Sequence, residues 1–141
     1  MNISKIFLCL LGAASTAAGL GWDDKAERAT CWNSGMEFSQ MHDEHDQPGN
    51  IEDAIIDYCA NALPMGDWDR GHVVAHCYPF PKDNSGNRVN LEVKNEAYTK
   101  QSLAVDECIY AMKYLYHECW CGGANDYNGF FFKIDPNAGK C

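Results

Sequence analysis

Eight cysteines in 141 residues, Cys9, Cys31, Cys59, Cys77, Cys108, Cys119, Cys121 and Cys141, constrain this chain more than any other feature. A chain this short buries only a modest core, and cross-links supply rigidity where thiols can oxidise. The first eighteen residues point to such a compartment. MNISKIFLCLLGAASTAA carries Lys5, then the apolar run IFLCLLGAA, then small residues up to Ala17 and Ala18. That is the pattern of a secretory signal peptide cleaved after Ala18. The apolar run is about ten residues, against the roughly 20 a bilayer-spanning helix needs. No other segment is apolar enough to span, so the expectation is a secreted, extracellular protein without membrane insertion.

With residues 1–18 removed, Cys9 leaves and seven cysteines stay. Cys31, Cys59, Cys77, Cys108, Cys119 and Cys141 read as a disulfide framework, for which six cysteines permit 15 pairings. Cys121 is then the odd one, a free thiol or an inter-chain bridge. The leader also takes one lysine and no acid, which moves the net charge from −9 to −10. Such acidity disfavours nucleic acid, whose binding needs clustered Lys and Arg, and disfavours an anionic membrane surface. Residues 19–141 form one small domain.

The pattern along that domain is legible. CWNSGMEF, from Cys31, suggests a short strand and a turn, and the polar stretch Ser39 to Gly49 a loop. Asn50 caps a first helix with Glu52 and Asp53 in its first turn; Ile51, Ile55, Tyr58, Cys59 and Ala62 recur at helical spacing, and Pro64 ends it. His72 to Phe80 and Arg88 to Asn95 form a hairpin about the turn PKDNSGN; Val89, Leu91 and Val93 alternate with Asn90, Glu92 and Lys94. A second helix runs from Ser102, its N-cap, to about Trp120. Val105, Cys108, Ile109, Met112, Leu115, Tyr116 and Cys119 line one face of it, so Cys108 and Cys119 can staple both ends of a buried stripe. GFFFKID is a final strand with Phe130, Phe132 and Ile134 on one face. The order β-α-β-β-α-β predicts an α+β fold, a small disulfide-stabilised sandwich with a four- to five-stranded, mainly antiparallel sheet and two helices packed on it.

Chemistry is harder to find. Cys119 and Cys121 are spaced C-x-C rather than C-x-x-C, with no second pair to complete a metal site. HDEHD, His42 to Asp46, reads as a solvated acidic loop, and His72 and His76 on a strand would lie roughly 13 Å apart, too far to share an ion. No metal and no cofactor is expected. Neither G-x-S-x-G nor H-E-x-x-H occurs. His72, His76, Arg70 and Arg88 are raw material for a ribonuclease, but the net charge disfavours an RNA substrate. Two loops, MGDWDRG and GGANDYNG, set an aromatic among planar polar groups, the mixture that sugar binding asks for. The candidate glycan-binding residues are Asp67, Trp68, Asp69 and Arg70 in the first, and Asn125, Asp126 and Tyr127 in the second. Either loop alone is equally read as ordinary turn chemistry.

The C-terminal run CIYAMKYLYHECWCGGANDYNGFFFKIDPNAGKC carries a more specific likeness. Its cysteine-bounded helix (Cys108, Cys119), Gly122-Gly123, the aromatic strand Phe130 to Ile134, and Asp135, Pro136, Asn137, Gly139 and Cys141 resemble small secreted fungal proteins of the inky-cap mushroom lectin family. CWNSG from Cys31 and LEVKN from Leu91 are similar to that family's first cysteine motif and middle strand. The resemblance implies an α/β sandwich with six cysteines, a homodimer, carbohydrate as partner and no enzymatic activity. Fungal effectors and killer-toxin-like proteins look similar in architecture, which gives the alternative of a virulence or competition protein acting on a host or competitor surface glycoprotein. A small nuclease-like hydrolase is the second alternative. Cys121 departs from the family's pattern, which usually has another residue before the two glycines.

Overall fold

A computed structural model describes residues 29–42, 49–80 and 86–141. The leader, most of the HDEHD loop and the centre of the PKDNSGN turn lie outside these residues. The elements are β1 (Thr30–Cys31), α1 (Ile51–Asp57), β2 (Val73–Phe80), β3 (Asn87–Asn95), α2 (Val105–Glu118), β4 (Gly123–Tyr127) and β5 (Phe130–Ala138). A single 3-10 turn covers Phe38–Gln40, and α1 runs on into a π-helical turn, Tyr58–Ala62.

The five strands form one sheet in the order β1-β4-β5-β3-β2, and every pair is antiparallel. The strand count and pairing agree with the expected α+β sandwich. Residues of one parity face the helices: Val89, Leu91 and Val93 of β3 and Phe132 and Ile134 of β5 are wholly buried. Against them pack Ile51, Ala54 and Ile55 of α1 and Cys108, Ala111, Met112 and Leu115 of α2. The other parity (Glu92, Lys94, Phe131, Lys133 and Asp135) is only half-buried and makes an open face without helices. Pro79 sits in β2, an edge strand, where a missing N–H breaks no inner ladder.

Local signals explain the helix starts. The Asn50 side chain accepts the Asp53 backbone N–H at 3.1 Å, as its capping role requires. At α2 the expectation was two residues early. Ser102 is not the cap; Ala104 is, without a side-chain bond. The reason lies upstream: Gln101 is held extended by Trp68, whose N–H reaches the Gln101 carbonyl at 2.8 Å, so the chain cannot coil there.

Three disulfides join distant parts: Cys31–Cys119, Cys59–Cys108 and Cys77–Cys141. Two of them anchor the two ends of the buried stripe of α2, as the spacing of Cys108 and Cys119 suggested. Cys121 corrects an expectation. It is disulfide-bonded too, its partner lies outside the described residues, and no described cysteine is free. Immediately after α2 the Gly122 N–H returns to the Cys119 carbonyl at 3.2 Å, a reversal that buries the Cys121 sulfur. Gly122, with φ +87°, allows it: a Cβ there would meet Pro136 Cδ at 2.7 Å and Trp32 Cζ3 at 2.9 Å.

The stretch GGANDYNG is the larger correction. It is strand β4 followed by a two-residue turn, not a loop. Asn128 and Gly129 have φ of +48° and +81°, the pair of left-handed residues a tight hairpin needs.

Candidate functional site

Trp68, the aromatic of the first candidate loop, is a core residue. It is 3 % exposed, its indole N–H donates to the Pro64 carbonyl at 3.1 Å, and its ring stands edge-on to Phe130 and His72, each at 5.5 Å. No face is left on which a sugar could stack. Its neighbours Asp67, Asp69 and Arg70 are exposed.

What holds that loop in place is Asn95, at the end of β3 and itself wholly buried. Its amide donates to the carbonyls of Trp68 at 2.9 Å and Thr99 at 3.3 Å, and its Oδ1 accepts the Ala97 N–H at 3.0 Å. Its backbone closes the circle, because Gly71 donates to the Asn95 carbonyl at 2.7 Å and the Asn95 N–H reaches His72 at 3.0 Å. Every polar atom of one asparagine is thereby used to pin residues 68–72 against residues 95–99.

Between these two segments lies an open cleft of about 320 Å³, lined by Arg70, Gly71, Lys94, Asn95 and Glu96. Beside it Tyr98 is 86 % exposed, with the Arg70 guanidinium 4.7 Å from the centre of its ring. Ion pairs order the rim. Lys94 meets Glu96 at 2.7 Å and Lys100 meets Asp69 at 2.8 Å. The hydrogen bond and charge of Lys100 hold the Asp69 carboxyl below the usual range, and Asp69 in turn raises the Lys100 ammonium. Tyr98 thus supplies the exposed ring that Trp68 was expected to give.

The second candidate group is split by the pleat of β4. Asp126 is exposed on the open face, in a row with Phe131 of β5 and Lys94 of β3, so that roughly 10 Å separates its backbone from that of Lys94. The Glu96 N–H reaches the Gly129 carbonyl at 2.9 Å, which brings the β4–β5 turn beside the cleft. Asn125 and Tyr127 point to the opposite side. Asn125 is 4 % exposed, and among the described residues neither its Oδ1 nor its Nδ2 has a hydrogen-bond partner. Tyr127 packs its ring 5.5 Å from that of Tyr110 on α2. Of the predicted residues only Arg70 lines the cleft, with exposed Asp67 and Asp69 near it in the chain and Asp126 two strands from Lys94. Trp68, Asn125 and Tyr127 are left out of the cleft.

Gly71, Lys94, Asn95, Glu96 and Tyr98 were missed in the sequence. The segment EAYTK, Glu96 to Lys100, has the same aromatic-among-polar composition as the two loops that were singled out.

The residues considered for phosphate chemistry do not converge. Arg88 donates to the carbonyls of Ala138 at 2.6 Å and Lys140 at 3.0 Å, His76 lies 4.7 Å from the Tyr78 ring, and His72 packs on Trp68. Among the described residues no three His, Cys, Asp or Glu side chains come together as metal ligands, and no helix is long and apolar enough to cross a membrane.

Comparison with known families adds one finding. The family model described as Glycan binding domain Y3 matches residues 50–141, the span from the cap of α1 through β5. No curated protein matches the chain.

Proposed function

The chain belongs to the Glycan binding domain Y3 family, and from that premise we propose a secreted, non-enzymatic glycan-binding protein whose saccharide site is the cleft between Arg70 and Lys94. One observation supports the placement: the exposed Tyr98 ring lies against Arg70, which lines a concavity together with the charged groups of Lys94 and Glu96. A pyranose presents an apolar C–H face and an equatorial belt of hydroxyls. A flat ring answers the first and hydrogen-bonding planar groups answer the second. Pockets for small ligands begin at roughly 300 Å³, a size the cleft, at about 320 Å³, reaches.

Secretion rests on the leader pattern and is consistent with three disulfides. The expected homodimer is supported by β2, whose outer edge has no strand partner among the described residues and offers an eight-residue ladder to a second copy. The reading as an effector against a host or competitor surface protein is favoured by one feature. Trp120 is 75 % exposed next to Cys119, which is bridged to Cys31, and a large exposed aromatic is of the kind that anchors protein interfaces.

A glycan-array screen of the oxidised protein, with Tyr98→Ala and Trp120→Ala beside it, tests these alternatives. Binding lost at least tenfold in Tyr98→Ala and kept in Trp120→Ala places the saccharide at the cleft. Glycan binding unchanged in Tyr98→Ala refutes that placement, and no glycan bound by folded protein shifts the function to a protein target.

A further inference from the structure

The charge arrangement of the cleft says more about what it accepts. Two cations line it, Arg70 and Lys94, and Lys100 is tied to Asp69, the neighbour of Arg70. Lys94 is neutralised by Glu96 and Lys100 by Asp69. Among the described residues no carboxylate stands within ion-pair reach of Arg70. This is notable in a chain with 20 acidic and 11 basic residues, where acids outnumber possible partners. The guanidinium instead lies over the Tyr98 ring, its carbon 4.7 Å from the ring centre. The guanidinium carries five N–H donors, and none of them has a hydrogen-bond or ion-pair partner among the described residues. Those donors form a planar fork that matches two carboxylate oxygens better than any pair of hydroxyls.

We propose that the cleft selects saccharides whose ring bears a carboxylate, with Arg70 receiving that group in a bidentate pair and Tyr98 stacking on the ring. The proposal rests on the placement of the glycan site at this cleft. The acidity of the whole chain does not oppose it. Charges farther than about 8 Å are screened at physiological ionic strength; of the acids close by, Glu96 and Asp69 hold lysines, and Asp67 acts on Lys100. A neutral sugar in the same position would leave the guanidinium without a charged partner. The acid-bearing sugar supplies one.

The test measures binding by isothermal titration of the full oxidised protein with matched pairs that differ in the acid: digalacturonate against galactobiose, and sialyllactose against lactose. The expected result is that one acidic member binds at least tenfold tighter than its neutral partner at low salt, with the gap narrowing as salt is added. Which pair shows the gap identifies a uronate or a nonulosonate as the source of the carboxylate. In Arg70→Gln the ratio between the acidic and the neutral member falls to within about threefold, because only the acid draws on the charged fork, whatever the variant does to the binding of both. In Arg70→Lys, which keeps the charge and loses the fork, the preference is reduced but present. Equal binding of acidic and neutral members overturns the acid preference alone, provided Tyr98→Ala abolishes both. An acid preference that survives Arg70→Gln also overturns it, since the anion is then read elsewhere. Acidic and neutral sugars binding Tyr98→Ala as they bind the parent refutes the cleft itself, and the inference with it.

Discussion

Removing the disulfides one at a time separates two contributions that usually travel together. The bridges Cys31–Cys119, Cys59–Cys108 and Cys77–Cys141 span 88, 49 and 64 residues. Because chain entropy grows only with the logarithm of loop length, these spans translate into about 4.6, 4.1 and 4.3 kcal/mol of stabilisation at 25 °C. The three are nearly equal on that account. Burial is not equal. Cys59 and Cys108 are 2 % and 0 % exposed, whereas Cys141 is exposed and Cys77 half-buried. Replacing the buried pair by alanine also removes two sulfurs from a packed core, a change comparable to deleting two methyl-sized groups, worth about 1–3 kcal/mol. The exposed pair leaves no such void. Its tail is held independently by Arg88, which binds the carbonyls of Ala138 and Lys140.

The double variant Cys77→Ala/Cys141→Ala should therefore lose about 4 kcal/mol and Cys59→Ala/Cys108→Ala about 5–7 kcal/mol. Against a total of about 5–15 kcal/mol for a domain, the first remains folded at room temperature and the second sits at the limit. Equilibrium unfolding in urea is the assay. Free energies rather than midpoints are compared, since loss of a cross-link expands the unfolded chain and steepens the transition. An equal or larger loss in the Cys77/Cys141 variant would refute the assignment of the difference to burial.

Three further outcomes are expected. Trp68→Ala should lower stability by about 3–5 kcal/mol, as for a large aromatic in a core, while Tyr98→Ala leaves the melting temperature nearly unchanged; equal melting of the two would mean Trp68 is not packed as described. Asn125→Leu should raise stability by about 1–2 kcal/mol in urea unfolding, because it replaces two buried, unpaired polar atoms with apolar ones of similar size; a loss would show that the amide is satisfied. Glu52 joins α1 to α2 through Lys113 and His117, and the Lys113 hydrogen bond, with both nearby charges, lowers its pKa. A depressed carboxyl stabilises above its unfolded pKa of about 4.3 and ceases to do so as pH falls through the folded value. The stability gap between parent and Glu52→Gln, at most about 1 kcal/mol for so exposed a pair, should hold from pH 7 to 5 and close below pH 4 in thermal melts.

Much of the fold was legible because neighbouring residues carried it. Val89, Leu91 and Val93 are buried as their alternation indicates, and Cys108, Met112 and Leu115 share the buried face that helical spacing assigns them. Asn50 announced its helix through its own side chain. β4 was not legible. Its inward-facing residues are Gly123, Asn125 and Tyr127, so a glycine and a polar amide stand where a strand normally shows apolar residues. The Asn128-Gly129 dipeptide did signal a hairpin, but with no apolar alternation on its near side the strand read as loop. Trp68 misled for a different reason. Its sequence neighbours are charged, and only pairing with Gln101 and packing on Phe130, both far along the chain, turn it inward. The cleft is likewise a product of one tertiary hub, Asn95, whose partners are spread from residue 68 to residue 99.

The position of β5 in the sheet bears on how the molecule is made. β5 lies between β4 and β3, and it is the last strand in chain order. As the chain emerges at about 5–20 residues per second, the β2–β3 hairpin can form early, but its inner edge has nothing to pair with until the final strand arrives. β1 waits too, since its one strand partner among the described residues is β4. For that interval the face of β3 that carries Val89, Leu91 and Val93 lacks its β5 neighbours and its inner edge stays unpaired, both conditions for misassociation. A ribosome that stops before Phe130 releases not a slightly shortened domain but two half-sheets with no strand to join them.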